Sequence, residues 1–302
     1  TGVRRVLFRS EGGSANQVWV EKYDRELEDI FELQDDITQK VAGALGHELR
    51  RAEYQRALSK PTESLGAWEA YHRGLFRLFK RTPKSNEEAR ELFELAIEHD
   101  PSFAAPYGGI ARVLATSWVF GEPANRTEAI VYGRKAVDLD ERDEFTHIAL
   151  GIAYWLTKLD PDAALRAFEE ARKINPNDAQ IYHGIGGALI SLGRAEEAVE
   201  PIEQAMWLSP ADAMNRLFYG RMASAKLFLG DYEDSIEWGK RAIIKGVNWI
   251  EWASVIAALS HARLMDEAFR VRDELEEFRP GASIALIVER FPVNDPDYLN
   301  VL

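Results

Sequence analysis

Two stretches of this chain repeat one another at a fixed offset, and that offset leaves few folds open. Ala164, Phe168, Ala171 and Pro176 return as Ala198, Ile202, Ala205 and Pro210, each 34 residues later. A small residue, a large one four positions on and a small one three beyond share a single face of a helix. The small residues let a neighbouring helix come close, and the large one fills the gap this creates. A first helix precedes each triplet, carrying Leu150, Gly151 and Tyr154 in one unit and Tyr182, Ile185, Gly186 and Leu189 in the next. The same triplet continues upstream as Ala89-Phe93-Ala96 and Ala129-Gly133-Ala136, and downstream as Ser235-Gly239-Ala242 and from Ala268. The leading positions 89, 129, 164, 198, 235 and 268 are separated by 40, 35, 34, 37 and 33 residues. Six helix–turn–helix units stacked in register predict an all-α superhelix, an α-solenoid.

In period and pattern these units resemble tetratricopeptide repeats, and six of them are expected over residues 61–282. The departures from the pattern carry their own expectations. The 40-residue step predicts an insertion of about six residues around Phe120–Asn125, and Arg81-Thr82-Pro83-Lys84 should lengthen the first unit. Gly133 and Gly239 stand where a large residue is usual, so those two units should pack differently. Arg272 occupies the large position of the sixth unit, which should fit least well. Pro201 falls inside a helix, where a missing amide donor costs roughly 3 kcal/mol and favours a kink.

Ahead of the repeats, Gln17-Val18-Trp19-Val20-Glu21-Lys22-Tyr23-Asp24 reads as a lone strand of about five residues, rich in β-branched and aromatic types. Leu33, Ile37, Val41, Leu45 and Leu49 then trace one face of a long amphipathic helix from Asp29 to Leu58, stopped at Lys60-Pro61. Thr1–Ser10 shows no continuing period, and Leu7-Phe8-Arg9-Ser10 looks like translated sequencing-adapter DNA, so residues 1–10 are expected to be non-native or disordered. At the other end, Ile284, Leu286, Ile287 and Val288 should begin a last helix broken at Phe291-Pro292 and Asp295-Pro296, with residues 283–302 forming a capping segment.

Composition removes several function classes. Fifty acidic residues against 37 basic ones give a net charge of −13, the opposite of a nucleic-acid or anionic-membrane footprint. With no cysteine there are no disulfides, zinc–thiolate sites or thiol nucleophiles. No apolar run is long enough to cross a membrane. The chain contains no phosphate-binding loop and no paired histidines beside a glutamate. His47, His72, His99, His147, His183 and His261 stand singly, and Gly184-Ile185-Gly186-Gly187 lacks the strand a nucleotide turn requires. No catalytic residue, cofactor or metal is expected.

A binding surface should therefore lie on the concave side, lined by the first helices. Counting by register, it would include Tyr71, Arg112, Ile152, Trp155, Gln180, His183, Phe228 and His261; Tyr71, Ile152 and Phe228 could equally belong to the core, while Trp155 and His183 suit a partner contact. The lysine/asparagine clamp of chaperone-binding tetratricopeptide domains cannot be assembled here. Protein or peptide is the expected partner.

The stretch Val18–Leu27, continuing through Asp29-Ile30-Phe31-Glu32-Leu33-Gln34-Asp35-Asp36-Ile37, resembles a junction in bacterial multidomain signalling proteins. There a TolB-like α/β domain ends in a tryptophan-containing strand, an aspartate–arginine turn and a phenylalanine–glutamine helix, and a tetratricopeptide array follows. The resemblance implies that residues 11–60 are the end of such a domain with its connecting helix. It also implies an upstream output domain, either a class III adenylate/guanylate cyclase or a winged-helix DNA-binding domain. This chain would then be a regulatory arm, making possible intramolecular contact with the upstream domain. A cytoplasmic location is expected, or a periplasmic one if a membrane helix precedes the segment.

Overall fold

The computed structural model describes residues 3–10, 17–25 and 66–302, apart from 123, 210–214 and 244–248. Fourteen helices are found among them. The first twelve pair into six hairpins: α1 (Ala67–Leu78) with α2 (Pro83–His99), α3 (Ala104–Val119) with α4 (Arg126–Leu139), α5 (Glu144–Leu156) with α6 (Pro161–Ile174), α7 (Ala179–Ser191) with α8 (Ala195–Leu208), α9 (Asn215–Leu229) with α10 (Tyr232–Ala242), and α11 (Ile250–His261) with α12 (Met265–Phe278). Consecutive first helices pack on one another, and each second helix packs on its own first helix and the next. The described residues from 66 onward form an all-α helical-hairpin solenoid, as the register predicts.

The predicted triplets form the seams. Ala89, Ala129, Ala164, Ala198 and Ser235 are fully buried and Ala268 almost so. Phe93 and Phe168, both 0% exposed, show how a seam works. Phe93 lies between Gly74 of its own hairpin and Gly109 of the next, where an added Cβ would come within 2.6 Å and 2.7 Å of its ring. Phe168 is held in the same way between Gly151 and Gly184. Burying such a ring contributes roughly 1.5–3 kcal/mol. The glycine-rich run of α7 is thus helical packing surface: Gly186 faces Ile202, and Gly187 faces Trp155.

Helix starts follow the local sequence. Asn125, Asp143, Asp160 and Asp178 accept backbone amides at the starts of α4, α5, α6 and α7. Thr82 and Ser85 form a reciprocal capping box ahead of Pro83. The expected lengthening of the first unit is a longer second helix, since α2 has 17 residues against 14 in α6 and α8. The second hairpin carries its extra residues between Val119 and Arg126. Pro201 is accommodated within α8, which runs unbroken from Ala195 to Leu208. Every hairpin turn holds one residue at positive φ: Arg81, Gly121, Lys158, Gly193, Gly230 and Arg263.

At the glycine seams the next hairpin supplies the bulk. Gly239 faces Val255 of α11, and Gly133 receives Leu150 of α5 at 3.0 Å from a would-be Cβ. Arg272 is exposed and bonds Asp273, with no further hairpin stacked over it among the described residues.

From Arg279 the chain doubles back along the hairpin turns through α13 (Ile284–Arg290) and α14 (Pro296–Val301). Arg279 donates to the Phe120 carbonyl and Arg290 to that of Trp118, with the Arg290 guanidinium 3.3 Å from the Trp118 ring centre. Lys158 donates to the Val288 carbonyl, Asn294 to that of Lys158, and Ser191 to that of Pro292. Tyr298 donates to the Gly193 carbonyl and accepts from the Ala195 amide. The last hairpin also meets the second: Trp249, 2% exposed, donates its indole N–H to the Val119 carbonyl at 3.0 Å.

Near the amino terminus, β1 (Val3–Ser10) pairs antiparallel with β2 (Gln17–Arg25), with an irregularity at Arg9/Ser10. The strand expected to stand alone is nine residues long and has a partner, in a stretch where no period was visible. A ladder is made of backbone groups and does not require one. The helix expected over Asp29–Leu58 lies outside the described residues.

Candidate functional site

The first helices and one turn enclose two adjoining chambers. In the first, every hairpin contributes: Arg81 from the first turn, Arg112 from α3, Trp155 from α5, Gln180 and His183 from α7, Arg221 from α9 and Glu251 from α11. The enclosed space is about 60 Å³, enough for a few waters or one compact group. The second chamber, about 260 Å³, is walled by Trp68, Tyr71, Phe103 and Phe145, and shares Phe79 and Gln180 with the first.

The first chamber is a cationic interior in an acidic chain. Arg112, Arg221 and Glu251 are each 6% exposed. Arg112 donates to Gln180 Oε1 at 3.0 Å, and its guanidinium lies over Phe145 and Phe79. The Arg221 guanidinium sits 4.5 Å from the Trp155 ring centre, a cation–π contact. Trp155 in turn meets His183 edge-on at 5.6 Å, and His183 lies 5.4 Å from Phe218. Burial pushes the Arg81 side chain down to about 10 against the opposing pull of Glu251, with Arg112 and Arg216 adding to the lowering; burial does the same for Arg221 against Glu251, helped by Arg81. His183 is held well below its ordinary value, first by burial and then by Arg221, Arg81 and Arg112, so it is neutral at physiological pH.

In the aromatic chamber Tyr71 meets Phe103 edge-on at 5.1 Å and Phe145 at 5.9 Å. Trp68 stacks on Phe103 at 6.0 Å and is 51% exposed, so one ring of the cluster faces solvent. Asp143, at the chamber's edge, is pushed up to about 6, chiefly by burial, against the opposing pull of the Phe145 amide it accepts.

Of the residues picked out by register, Arg112, Ile152, Trp155, Gln180 and His183 come together in the first chamber, and Tyr71 in the second. Phe228 and His261 do not join them. Phe228 stacks on Tyr298 at 4.3 Å, and His261 bonds the Val301 carbonyl while stacking on Tyr232. Both face the returning carboxy-terminal segment. Sequence reasoning missed Arg81, Arg221, Glu251 and Trp68. For Arg81 a signal existed: it holds a turn position that glycine takes in three other hairpins. Among the described residues there is no group of three or more His, Asp or Glu placed to hold a metal ion, and no helix long and apolar enough to cross a membrane.

Residues 156–206 match the tetratricopeptide repeat family. They span the end of α5 to near the end of α8, the best-registered part of the array. Over 155 residues, half of this chain, it is 30% identical to a putative adenylate cyclase 3 of Rhizobium meliloti, covering 26% of that protein. It is 26% identical over 155 residues to the transcriptional regulator HilA of Salmonella typhimurium, covering 28% of it. A 76-residue stretch is 33% identical to the peroxisomal targeting signal receptor of Saccharomyces cerevisiae, covering 12% of that protein. The chain thus matches about a quarter or less of the length of these relatives. Among solved structures, the Cut9–Hcn1 hetero-tetramer of the APC/C superposes with a TM-score of 0.60 at 15% identity, over 81% of this chain and 46% of that one. That likeness concerns the fold.

Proposed function

We propose that this chain is the regulatory arm of a larger bacterial signalling protein, built to engage a protein segment on its inner face. The array is a protein-interaction scaffold of tetratricopeptide type. The observation that carries the binding reading is the aromatic chamber: a preformed apolar recess with Trp68 half open to solvent, on the side where the first helices converge. Aromatic side chains in such a recess suit anchoring a partner side chain. The likeness to an adenylate cyclase supports a nucleotidyl cyclase as output domain, with the array sensing or restraining it. The likeness to HilA supports the second reading, a transcription regulator with the same kind of arm.

Sequencing the native gene upstream of the Glu11 codon separates the two readings. A cyclase catalytic domain is expected; a winged-helix domain would move the output to transcription. The upstream domain, expressed separately, should then bind this array in a titration. Trp68→Ala should weaken that binding about tenfold, as for a hot-spot aromatic, without shifting thermal unfolding. Unchanged affinity in the folded variant would remove the aromatic chamber from the interface.

A further inference from the structure

Three guanidiniums converge on the smaller chamber from hairpins far apart in the array, and Glu251 is the one carboxylate among the residues lining it. Arginine stays protonated in proteins, so the excess of positive charge persists in the interior. The Nε and Nη1 atoms of Arg221 are buried and have no hydrogen-bond partner. A guanidinium removed from water without partners is strongly disfavoured unless an anion completes its hydrogen bonds. His183, neutral among these cations, adds no further repulsion.

The backbone points the same way. Arg81 has φ 55°, the left-handed region in which glycine is at ease, and glycine does hold the matching turns at Gly121, Gly193 and Gly230. Arginine there carries backbone strain that glycine would not. Of the other two non-glycine turns, Lys158 uses its ammonium to bond the Val288 carbonyl. Arg81 uses its side chain to line the chamber.

We propose that this chamber binds a compact free oxyanion, a phosphate or a small carboxylate, held between Arg81, Arg112 and Arg221. Forked guanidinium donors match both kinds of oxygen group. The chamber's size admits a single head group and excludes a nucleotide. Because Arg81 and Arg112 belong to the first two hairpins and Arg221 to the fifth, the bound anion bridges the two limbs of the array. Without it these limbs carry like charges facing one another. The site is distinct from the aromatic chamber and does not depend on what that chamber binds.

The test is thermal unfolding of the whole chain with inorganic phosphate or succinate, against sodium chloride at equal ionic strength and neutral pH. A saturable rise on the order of 5 °C at a hundredfold excess over the dissociation constant is expected from one or both anions. Phosphate alone would assign a tetrahedral ligand, and succinate alone a carboxylate. The variant that separates binding from folding is Arg81→Gly, which removes a guanidinium while easing the backbone. It should unfold no earlier than the parent in sodium chloride, yet bind the anion about tenfold more weakly. A rise no greater than in sodium chloride with either anion, or an equal rise in Arg81→Gly, would overturn the proposal.

Discussion

The seam at Phe168 and the seam at Gly239 solve one packing problem in opposite ways. At the first, the second helix carries the bulk and both facing helices are hollowed to glycine, at Gly151 and Gly184. At the second, the second helix is hollowed, and Val255 of the following hairpin supplies the bulk. A seam of this kind therefore needs one large group among small ones, and which helix brings it is secondary. Close-packed interiors respond to volume rather than to the chain position of the atoms that fill it.

Several substitutions would break or sharpen that contrast. The largest effect is expected for Phe168→Ala, which leaves a cavity flanked by two glycines that cannot close it. A loss of about 3–5 kcal/mol in denaturant unfolding follows from comparable truncations. A loss below about 1 kcal/mol would mean that the seam collapses freely. Next, Gly239→Leu restores the usual large residue but strikes Val255, and should destabilise by about 1–3 kcal/mol. Adding Val255→Ala to it should recover part of that loss, and strict additivity of the two changes would show that they do not share a space. Ala198→Trp overpacks the fourth hairpin by a similar amount, since Ala198 is fully buried.

The smallest effect is electrostatic. Asp143 in the folded chain is pushed up to about 6, above its ordinary value of 3.8. Between those values the folded state holds the proton more tightly than the unfolded one, so this group's contribution favours folding at low pH and declines as pH rises through about 6. Asp143→Asn keeps an acceptor for the Phe145 amide and should flatten that part of the stability profile in a pH series of thermal melts. An unchanged slope would assign the proton to another group.

How much of this was legible beforehand follows from the range of each interaction. Ala164, Phe168 and Ala171 lie within two helical turns, so their spacing declares the seam directly. The insertion at Phe120–Asn125 is likewise a local count. Arg112, Trp155, Gln180 and His183 could be placed on the inner face because the register alone assigns faces. What joins Arg81, Arg221 and Glu251 is the sweep of the whole superhelix, accumulated from small rotations at each seam, and no local pattern encodes it. Phe228 and His261 have the right register for the inner face, but the chain from Arg279 onward returns to cover them. That return rests on long-range bonds such as Arg290 to the Trp118 carbonyl.

An open solenoid behaves like beads on a string, each unit answering only to its neighbours, so its ends can melt while its middle stays intact. The bond from Trp249 to Val119 changes that arithmetic. Once the last hairpin is bonded to the second, its edge is no longer free, and fraying there must also release a contact made near the start of the array. Such an array should gain the all-or-none melting of a globular domain, and its formation should be slowed by the wait for two distant limbs to meet.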